Sequence, residues 1–207
     1  MLTMNTPTFQ SLETPRLILR RFKDEDLSAF LSYRNDPEVA RYQSWHSITE
    51  NQAKDFITEQ KSIQTGMPGE WFQFAIELKD TGVLIGDCGL KVNKEEPRQA
   101  EFGITLSLPY QGVGVASEAV ACMLDYAFKI LGLHRVIAIT DCLNKSSVVL
   151  MERLGMRREG HFIQNIWFKG AWGDEYLYAI LQQEWLQQKH LPAMDKGYNH
   201  TQDGQFR

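Results

Sequence analysis

The positions of apolar and polar residues along the chain predict an alternation of strands and helices. Seven runs combine β-branched or aromatic residues with polar or proline-containing flanks, which is typical of strands. These runs are residues 17–22, 71–78, 83–92, 100–107, 135–140, 163–168 and 175–181. The polar connections between them predict an antiparallel meander over 71–107 and a final hairpin that turns at 169–174.

Apolar residues recur at helical spacing in four other segments. The clearest helix begins at Ala116 and continues to Gly132. Shorter helices are predicted at 27–34, after acidic residues that favour a helix start, and from a capping-box sequence at 47–50 towards Gly66. A fourth helix, 148–154, is followed by a glycine suited to a left-handed cap. Because a helix separates strands 100–107 and 135–140, these strands could lie parallel.

The order of these elements predicts a single α/β domain with a mixed, mostly antiparallel central sheet and helices on both faces. The length of 207 residues suits one ordinary domain with additional tails. We expect an N-terminal tail at 1–11, the domain at 12–186 and a flexible tail at 187–207, where the composition becomes polar.

Composition and charge exclude several classes of protein. With 26 acidic and 22 basic residues the net charge is −4, so the chain lacks the basic surplus that holds nucleic acid. Cys88, Cys122 and Cys142 lie far apart, so neither a disulfide framework nor a zinc site is expected. No run is long and uncharged enough to cross a membrane, and no secretion signal is visible. We therefore expect a cytoplasmic protein without a bound metal.

The strongest chemical signal lies between strand 100–107 and the longest helix. The residues here are Gln111, Gly112, Val113, Gly114, Val115, Ala116 and Ser117. Two glycines can turn successive backbone N–H groups outward, and a helix N-terminus adds its dipole, so this loop could bind phosphate without basic side chains. A glycine turn without a ligand is the alternative. The loop matches neither the dinucleotide fingerprint nor the Gly-Lys-Ser/Thr loop of nucleotide-binding folds.

The spacing of Gln111, Gly114 and Ala116 resembles the signature of the GNAT superfamily of acyl-CoA-dependent N-acyltransferases. Further segments carry the resemblance: 14–20, 117–119, 144–147, and 154–156 followed by 158–160. It covers residues 12–181 and is closest to the ribosomal-protein-alanine N-acetyltransferases and their small-molecule-acetylating relatives. The resemblance implies an enzyme that transfers an acetyl group from acetyl-CoA directly to a primary amine.

The same resemblance implies where acetyl-CoA binds. It places the cofactor between strands 100–107 and 135–140, with the pyrophosphate on residues 111–117. The pantetheine arm would pair with the backbone of Ile104, Thr105 and Leu106. Asn144 would bind this arm, and Ser147 would lie near the sulfur, where a hydroxyl could protonate the leaving thiolate. From the residues alone, Asn144 or Ser146 could instead cap the following helix.

Attack by an amine requires a group that accepts its proton. Glu101, on strand 100–107, is our candidate for this base, and Asp141, Glu175 and Tyr176 are alternatives. Asp174 and Glu175 could instead position a cationic acceptor. Because direct transfer needs no covalent intermediate, the cysteines are expected to be structural.

The sequence alone does not determine which amine accepts the acetyl group. We expect a protein N-terminal amine, and the alternative is a small amine such as a polyamine, an amino-sugar drug or an amino acid. A non-catalytic acyl-CoA sensor would keep the loop at Gly114 but lack acid–base groups, so Glu101 and Ser147 favour an enzyme. The expected partners are acetyl-CoA and the amine, with no nucleic acid and no membrane, and the protein is expected to be a monomer or a homodimer.

Overall fold

A sheet of eight strands forms the centre of the molecule in the computed structural model, which describes residues 9–188. Its strands are β1 (Ser11–Glu13), β2 (Leu17–Arg20), β3 (Trp71–Leu78), β4 (Leu84–Val92), β5 (Gln99–Leu106), β6 (Arg135–Asp141), β7 (Arg157–Phe168) and β8 (Ala171–Leu181). Their spatial order is β1-β2-β3-β4-β5-β6-β8-β7. β5 and β6 run parallel, and the other neighbouring strands are antiparallel. The predicted α/β class and the mostly antiparallel sheet are confirmed.

Helices cover both faces of this sheet, as predicted. They are α1 (Leu27–Arg34), α2 (Pro37–Ala40), α3 (Glu50–Ser62), α4 (Val115–Asp125), α5 (Lys145–Arg153) and α6 (Gln182–Gln188). One apolar core packs α4 and α5 against the sheet, and a second packs α1 and α3. The neighbouring β3 residues Phe74 and Ala75 belong to different cores, because successive side chains of a strand point to opposite faces.

The helical spacing of apolar residues in α4 explains how it holds the loop before it. Ala119, Val120, Met123 and Leu124 are fully buried in the first core. Burial of each larger apolar side chain stabilises the fold by roughly 1.5–3 kcal/mol. The start of α4 is therefore fixed relative to β5, which is the geometry that a binding loop between the two elements requires.

The start and end of α3 differ from the prediction. The capping box is formed by Thr49 and Gln52, two residues beyond the predicted one at Ser47. Thr49 Oγ1 accepts a hydrogen bond from the Gln52 N–H, and the Gln52 side chain accepts one from the Thr49 N–H. The helix ends at Ser62 rather than near Gly66, because Ile63 is already extended, with φ −66° and ψ 134°.

The last hairpin is longer than predicted, and the prediction of a six-residue turn at 169–174 is wrong. The turn consists of Lys169 and Gly170, which both have positive φ, at 48° and 88°. Such a turn matches the twist of two antiparallel strands, so β8 begins directly after it. β7 begins at Arg157 instead of Ile163; it is polar and exposed along most of its length and lacks an alternating pattern.

Three small elements were not predicted from the sequence: β1, α2 and α6. Phe9, inside the expected N-terminal tail, is buried and packs edge-on against Phe72 and Phe74, at 5.2 and 5.1 Å between ring centroids. At the other end, α6 extends to Gln188, one residue past the start of the expected C-terminal tail. The remaining tail residues, 1–8 and 189–207, lie outside the described part of the chain. Within that part, no helix is long and apolar enough to span a membrane.

Candidate active site

The parallel strands β5 and β6 separate soon after they meet. Their paired residues are Gln99 with Arg135, Ala100 with Val136, and Glu101 with Ile137. Beyond Glu101, β5 follows β4 to Leu106, whereas β6 follows β8 to Asp141. A V-shaped opening therefore lies between the carboxyl ends of the two strands, at the position that the family resemblance implies for the cofactor.

This opening contains a cavity of about 540 Å³. Its lining includes ten of the predicted site residues: Ile104, Thr105, Leu106, Gln111, Gly112, Gly114, Ala116, Ser117, Asn144 and Ser147. Three predicted residues lie elsewhere. Val115 is buried in the core, Val113 is exposed, and Glu101 lines a second cavity. The structure thus brings together residues from β5, the loop before α4, and α5.

The backbone of the glycine loop has the form expected of an anion-binding loop. Gly112 and Gly114 have φ of +75° and +83°, a region that favours glycine. Gly114 is also the N-cap residue immediately before α4, and the first N–H groups of a helix have no partner within it. Alternation of left-handed and ordinary residues directs successive N–H groups towards one side. The loop can therefore bind a pyrophosphate through its backbone.

Glu118 attaches this loop to the N-terminal strands. Its carboxylate accepts hydrogen bonds from Thr14 Oγ1 at 2.6 Å, the Arg16 N–H at 2.9 Å and Arg16 Nε at 2.6 Å. Burial opposes its ionisation, but these bonds outweigh that effect and lower the pKa of Glu118. Arg16 Nη1 in turn donates to the Val113 carbonyl at 3.1 Å. This network explains why motif segments 14–20 and 117–119 belong to one site.

Two glutamine amides occupy the carbonyls at the open edge of β5. Gln111 Nε2 donates to the Leu106 carbonyl at 2.9 Å, and Gln43 Nε2 lies 3.4 Å from the Ile104 carbonyl. An unpaired strand edge offers such carbonyls to any extended amide-bearing chain. A pantetheine arm that pairs with this edge would therefore compete with the side chain of Gln43, which the sequence analysis missed.

The same cavity has a positively charged rim that spacing along the sequence could not reveal. Arg41, Lys145 and Arg153 line it together with one acidic residue, Glu38. Arg41 lies more than 100 positions before the other two, so only the fold brings them together. A surplus of positive charge favours a ligand that carries several phosphates.

Asn144 caps the following helix, which was the local role that the sequence suggested for it. Its side-chain oxygen accepts the Ser147 N–H at 3.2 Å and caps α5, which therefore begins at Lys145 rather than at Val148. The cap also fixes Asn144 and Ser147 in the wall of the cavity, on the side opposite Ile104. Capping and a role in ligand binding are thus compatible.

Glu101 lies at the last paired position of β5 and β6, at the apex of the opening. Its neighbours Ala100 and Phe102 belong to the core with α4, so its side chain points to the opposite face. There it lines a second cavity of about 390 Å³, together with Lys91 and Gln99. Burial raises the pKa of Glu101, the positive charge of Lys91 opposes this rise, and the charge of Glu175 adds to it.

Asp141 and Glu175, the two acidic alternatives to Glu101 as the base, lie on the same face of the sheet as Glu101. Asp141 pairs with Glu175 across β6 and β8, and Glu101 pairs with Ile137, four residues before Asp141. Because side chains alternate along strands, the three carboxylates lie on one face of three neighbouring strands. Glu175 Oε2 accepts a hydrogen bond from Asn165 Nδ2 at 2.6 Å. This face is suited to bind a cation.

Asp174 and Tyr176 have different surroundings. Asp174 accepts the N–H of Gln164, a bulge residue of β7, at 2.8 Å, and lies 3.6 Å from the ring nitrogen of His161. Tyr176 packs against the core that contains α5, on the face opposite Glu101. These contacts give Asp174 a role in the hairpin and place Tyr176 away from the acidic face. No metal-binding group of His, Cys, Asp and Glu occurs among residues 9–188.

Comparison with known proteins identifies the family. A family model described as an acetyltransferase (GNAT) domain matches residues 16–157, which is more than half of the chain. The protein belongs to the GNAT family and is an N-acetyltransferase, as predicted. GNAT acetyltransferases use acetyl-CoA as the acetyl donor.

Individual relatives agree with this assignment. The uncharacterized N-acetyltransferase YnaD of Bacillus subtilis (strain 168) is 37% identical over 174 residues, which cover 84% of this chain and 98% of that protein. A spermidine N-acetyltransferase from Vibrio cholerae, solved with CoA and spermine, is 26% identical with a TM-score of 0.72, covering 84% of this chain and 99% of that one. The ribosomal-protein-S5-alanine acetyltransferase from Vibrio fischeri shares the fold, with a TM-score of 0.74 at 24% identity, covering 86% and 99%.

Proposed function

We propose that the enzyme transfers the acetyl group of acetyl-CoA directly to a small cationic primary amine. Acetyl-CoA occupies the opening between β5 and β6, and the amine approaches from the face of the sheet that carries Glu101. The observation that carries this proposal is the position of Glu101 at the apex of the opening, on the same face of the sheet as Asp141 and Glu175 further along β6 and β8. Carboxylates grouped in this way attract and orient a cationic acceptor.

The cofactor half of the proposal rests on three features of the large cavity. The loop at Gly112 and Gly114 offers backbone N–H groups to the pyrophosphate. Arg41, Lys145 and Arg153 supply positive charge around it. The edge of β5 at Ile104 offers backbone groups to the pantetheine arm, and Asn144 would bind the arm from the opposite wall.

The chemistry needs a base, an oxyanion site and a proton donor. Glu101 accepts a proton from the ammonium, directly or through water, so that the free amine can attack the thioester carbon. The C–N bond forms, backbone N–H groups near the apex stabilise the oxyanion, and the C–S bond then breaks. Ser147 donates a proton to the departing thiolate and regains one, through water, from the nitrogen that has attacked. No covalent enzyme intermediate forms, so Cys88 and Cys142 keep structural roles.

The choice of a small amine over a protein N-terminus has two supports. The acidic face matches a compound with several positive charges, and the full-length neighbour at 26% identity was solved with spermine. The likeness to the ribosomal-protein enzyme is one of fold. The sequence resemblance pointed first to a protein N-terminal amine, and that acceptor is the outcome against which the proposal is tested.

A direct assay distinguishes these acceptors. Purified protein and acetyl-CoA are incubated with spermidine, with a basic N-terminal peptide, or with the same peptide blocked at its N-terminus, and thiol release is measured. We expect turnover with spermidine and little with either peptide. Turnover confined to the unblocked peptide would replace the small amine with a protein N-terminus, and no turnover with any acceptor would contradict the proposed substrate class.

A further inference from the structure

A short segment that begins with the last residue of α2, residues 40–45, connects the large cavity to the last hairpin; we refer to it as the bridging segment. Its residues Tyr42 and Gln43 line the cavity. Tyr42 Oη lies 3.3 Å from the Leu143 carbonyl beyond β6, and Gln43 contacts the edge of β5 at Ile104. The bridging segment therefore touches β5 on one side of the opening and the loop after β6 on the other.

The end of the bridging segment rests on a rigid support. Trp45 Nε1 donates to the Arg34 carbonyl at 3.0 Å, and the Arg34 guanidinium lies over the Trp45 ring, 3.8 Å from its centroid. Arg34 is itself buried and bonded to Asp87 of β4 at 2.9 Å. This end of the segment is thereby fixed to α1 and the sheet.

Lys169 joins the segment to the hairpin. It is the first residue of the turn between β7 and β8, and its ammonium donates to the carbonyls of Ala40 at 2.5 Å and Trp45 at 2.9 Å. These two acceptors are the first residue and the last residue of the bridging segment. Partial burial against the segment also lowers the pKa of Lys169.

The hairpin that Lys169 holds carries one residue of the acidic face, Glu175 on β8, and the hydrogen-bond partner of Glu175, Asn165 on β7. One side of the bridging segment thus forms part of the cofactor cavity, and the other side fixes the strands that carry the proposed acceptor carboxylate. Because the end at Trp45 is fixed, a movement of Gln43 away from Ile104, when a cofactor arm takes that carbonyl, would reach Lys169 through its bond to the Ala40 carbonyl.

We propose that Lys169 is a positioning residue that couples occupation of the cofactor cavity to binding of the amine. The inference rests on the proposed function in placing the amine beside Glu175. Energetic coupling between two sites is reciprocal, so CoA should tighten amine binding by the same factor as the amine tightens CoA binding. Couplings of this kind are typically about 5–150-fold.

The test compares Lys169→Met, which keeps the length of the side chain but loses the ammonium, with Lys169→Arg, which keeps a charged donor. Amine affinity is measured by calorimetry with and without saturating CoA, and KM and kcat are measured separately. We expect Lys169→Met to reduce the coupling factor to near one and to raise the KM for spermidine about tenfold. The affinity for acetyl-CoA alone and kcat should change less, and Lys169→Arg should restore the coupling.

Hydrogen exchange tests the contact independently of the acceptor. In Lys169→Met, amides of residues 40–45 and 163–173 should exchange faster together, without any substrate present. Unchanged exchange and unchanged coupling in the folded variant would overturn the inference. If the exchange changes as expected but the wild type does not acetylate spermidine, the acceptor in the proposed function is wrong and the contact is retained. A parallel loss of CoA affinity, kcat and amine affinity that Lys169→Arg does not rescue would reduce Lys169 to a merely structural residue.

Discussion

Glu101 is the single residue whose ionisation we expect to control the rate. Burial, reinforced by the charge of Glu175, raises its pKa above the ordinary value for a glutamate. A base acts only when deprotonated, so kcat/KM should rise with pH through this elevated pKa. Glu101→Gln should lower turnover at neutral pH by about 100-fold or more. The loss should shrink as the pH rises and free amine accumulates.

The control for this variant is Glu95→Gln, because Glu95 lines the same second cavity but lies in the loop before β5. It should keep the wild-type pH profile, and acetyl-CoA affinity should be unchanged in both variants. If Glu101→Gln gave a profile parallel to that of the wild type, the proton would have to be accepted by another group, such as Asp141 or Glu175.

Ser147 leads to a second prediction at this scale. Its hydroxyl is proposed to donate to the leaving thiolate, an interaction that gains strength only as charge develops. Ser147→Ala should therefore lower kcat by about tenfold or more while acetyl-CoA affinity changes little. Ser146→Ala is the matched control, since Ser146 lines the same cavity at the neighbouring position. If Ser147→Ala kept the wild-type kcat, as Ser146→Ala should, water or Tyr176 would have to donate the proton to the thiolate.

The individual residues of the site were predictable to the extent that they lie in continuous motifs. Gly114 and Asn144 carry signals in their own neighbourhood, a glycine turn and a helix cap. Gln43 and Arg153 have no such signal, since only the folded chain brings each of them to the same cavity as the end of β5. The spacing of residues in a sequence reflects local geometry, whereas the positions of Gln43 and Arg153 in the cavity depend on tertiary packing.

At the scale of elements, the glycine loop before α4 allows a matched comparison. Gly114 and Gly82 both have positive φ, at +83° and +68°, and an added Cβ would meet no atom closer than 3.5 Å at either. Alanine should therefore cost each site a similar strain of about 1 kcal/mol. Only Gly114→Ala should weaken acetyl-CoA binding, measured by calorimetry, because Gly82 lies in the distant β3–β4 turn. Equal affinities in the two variants would remove the loop from the binding site.

Glu159 connects β7 to β6 across β8. Hydrogen bonds from Arg135 lower its pKa to about 2, burial opposes this, and Arg157 adds to the lowering. A depressed pKa contributes stability above the ordinary carboxylate range, and that stability is lost as the pH falls towards 2. Because the group is partly exposed, we expect Glu159→Gln to cost about 1 kcal/mol at pH 7.

Urea unfolding at several pH values tests this assignment. The difference between wild type and Glu159→Gln should decrease steadily below pH 4.5, the ordinary pKa, and disappear as the pH falls through the folded-state pKa of about 2. A difference that stays constant with pH would show that the substitution acts through shape rather than charge.

Elements with strong local patterns were predicted well, and those held by distant partners were not. α1 has the predicted bounds, Leu27–Arg34, and β3 the predicted bounds, Trp71–Leu78. The first half of β7 was missed because its exposed residues lack the alternation that a buried face imposes. The shape of the last hairpin is set by the backbone conformation of Lys169 and Gly170. The pattern of hydrophobic residues carries no information about that conformation.

For the molecule as a whole, a buried ion pair connects the helical layer to the sheet. Asp87 of β4 and Arg34 of α1 are 3% and 7% exposed, and Tyr33 Oη also donates to Asp87, at 2.6 Å. Removing one charge leaves the other buried without compensation, so Asp87→Asn should cost about 3–5 kcal/mol. Asp80→Asn, in the exposed β3–β4 turn, should change stability by less than about 0.5 kcal/mol. Chemical denaturation of both variants measures the difference.

From β3 onwards the topology was predictable, because the connections between successive strands are short or contain one α-helix. The meander, the parallel pair around α4 and the closing hairpin follow from element order. The order of the whole sheet and the acidic face do not, since Glu101 and Glu175 are joined only through the pairing of β5, β6 and β8. Such long-range register is fixed by packing over the entire domain.

The short pairing between β5 and β6 also has a mechanical meaning. Backbone hydrogen bonds are sparse along this line, whereas β6 and β8 are paired over the full length of β6. A force applied across the sheet should therefore separate β5 from β6 before it separates β4 from β5 or β6 from β8. The enzyme can admit a ligand as long as a coenzyme by slight widening along this line, and a ligand in contact with both sides would increase the force needed for rupture.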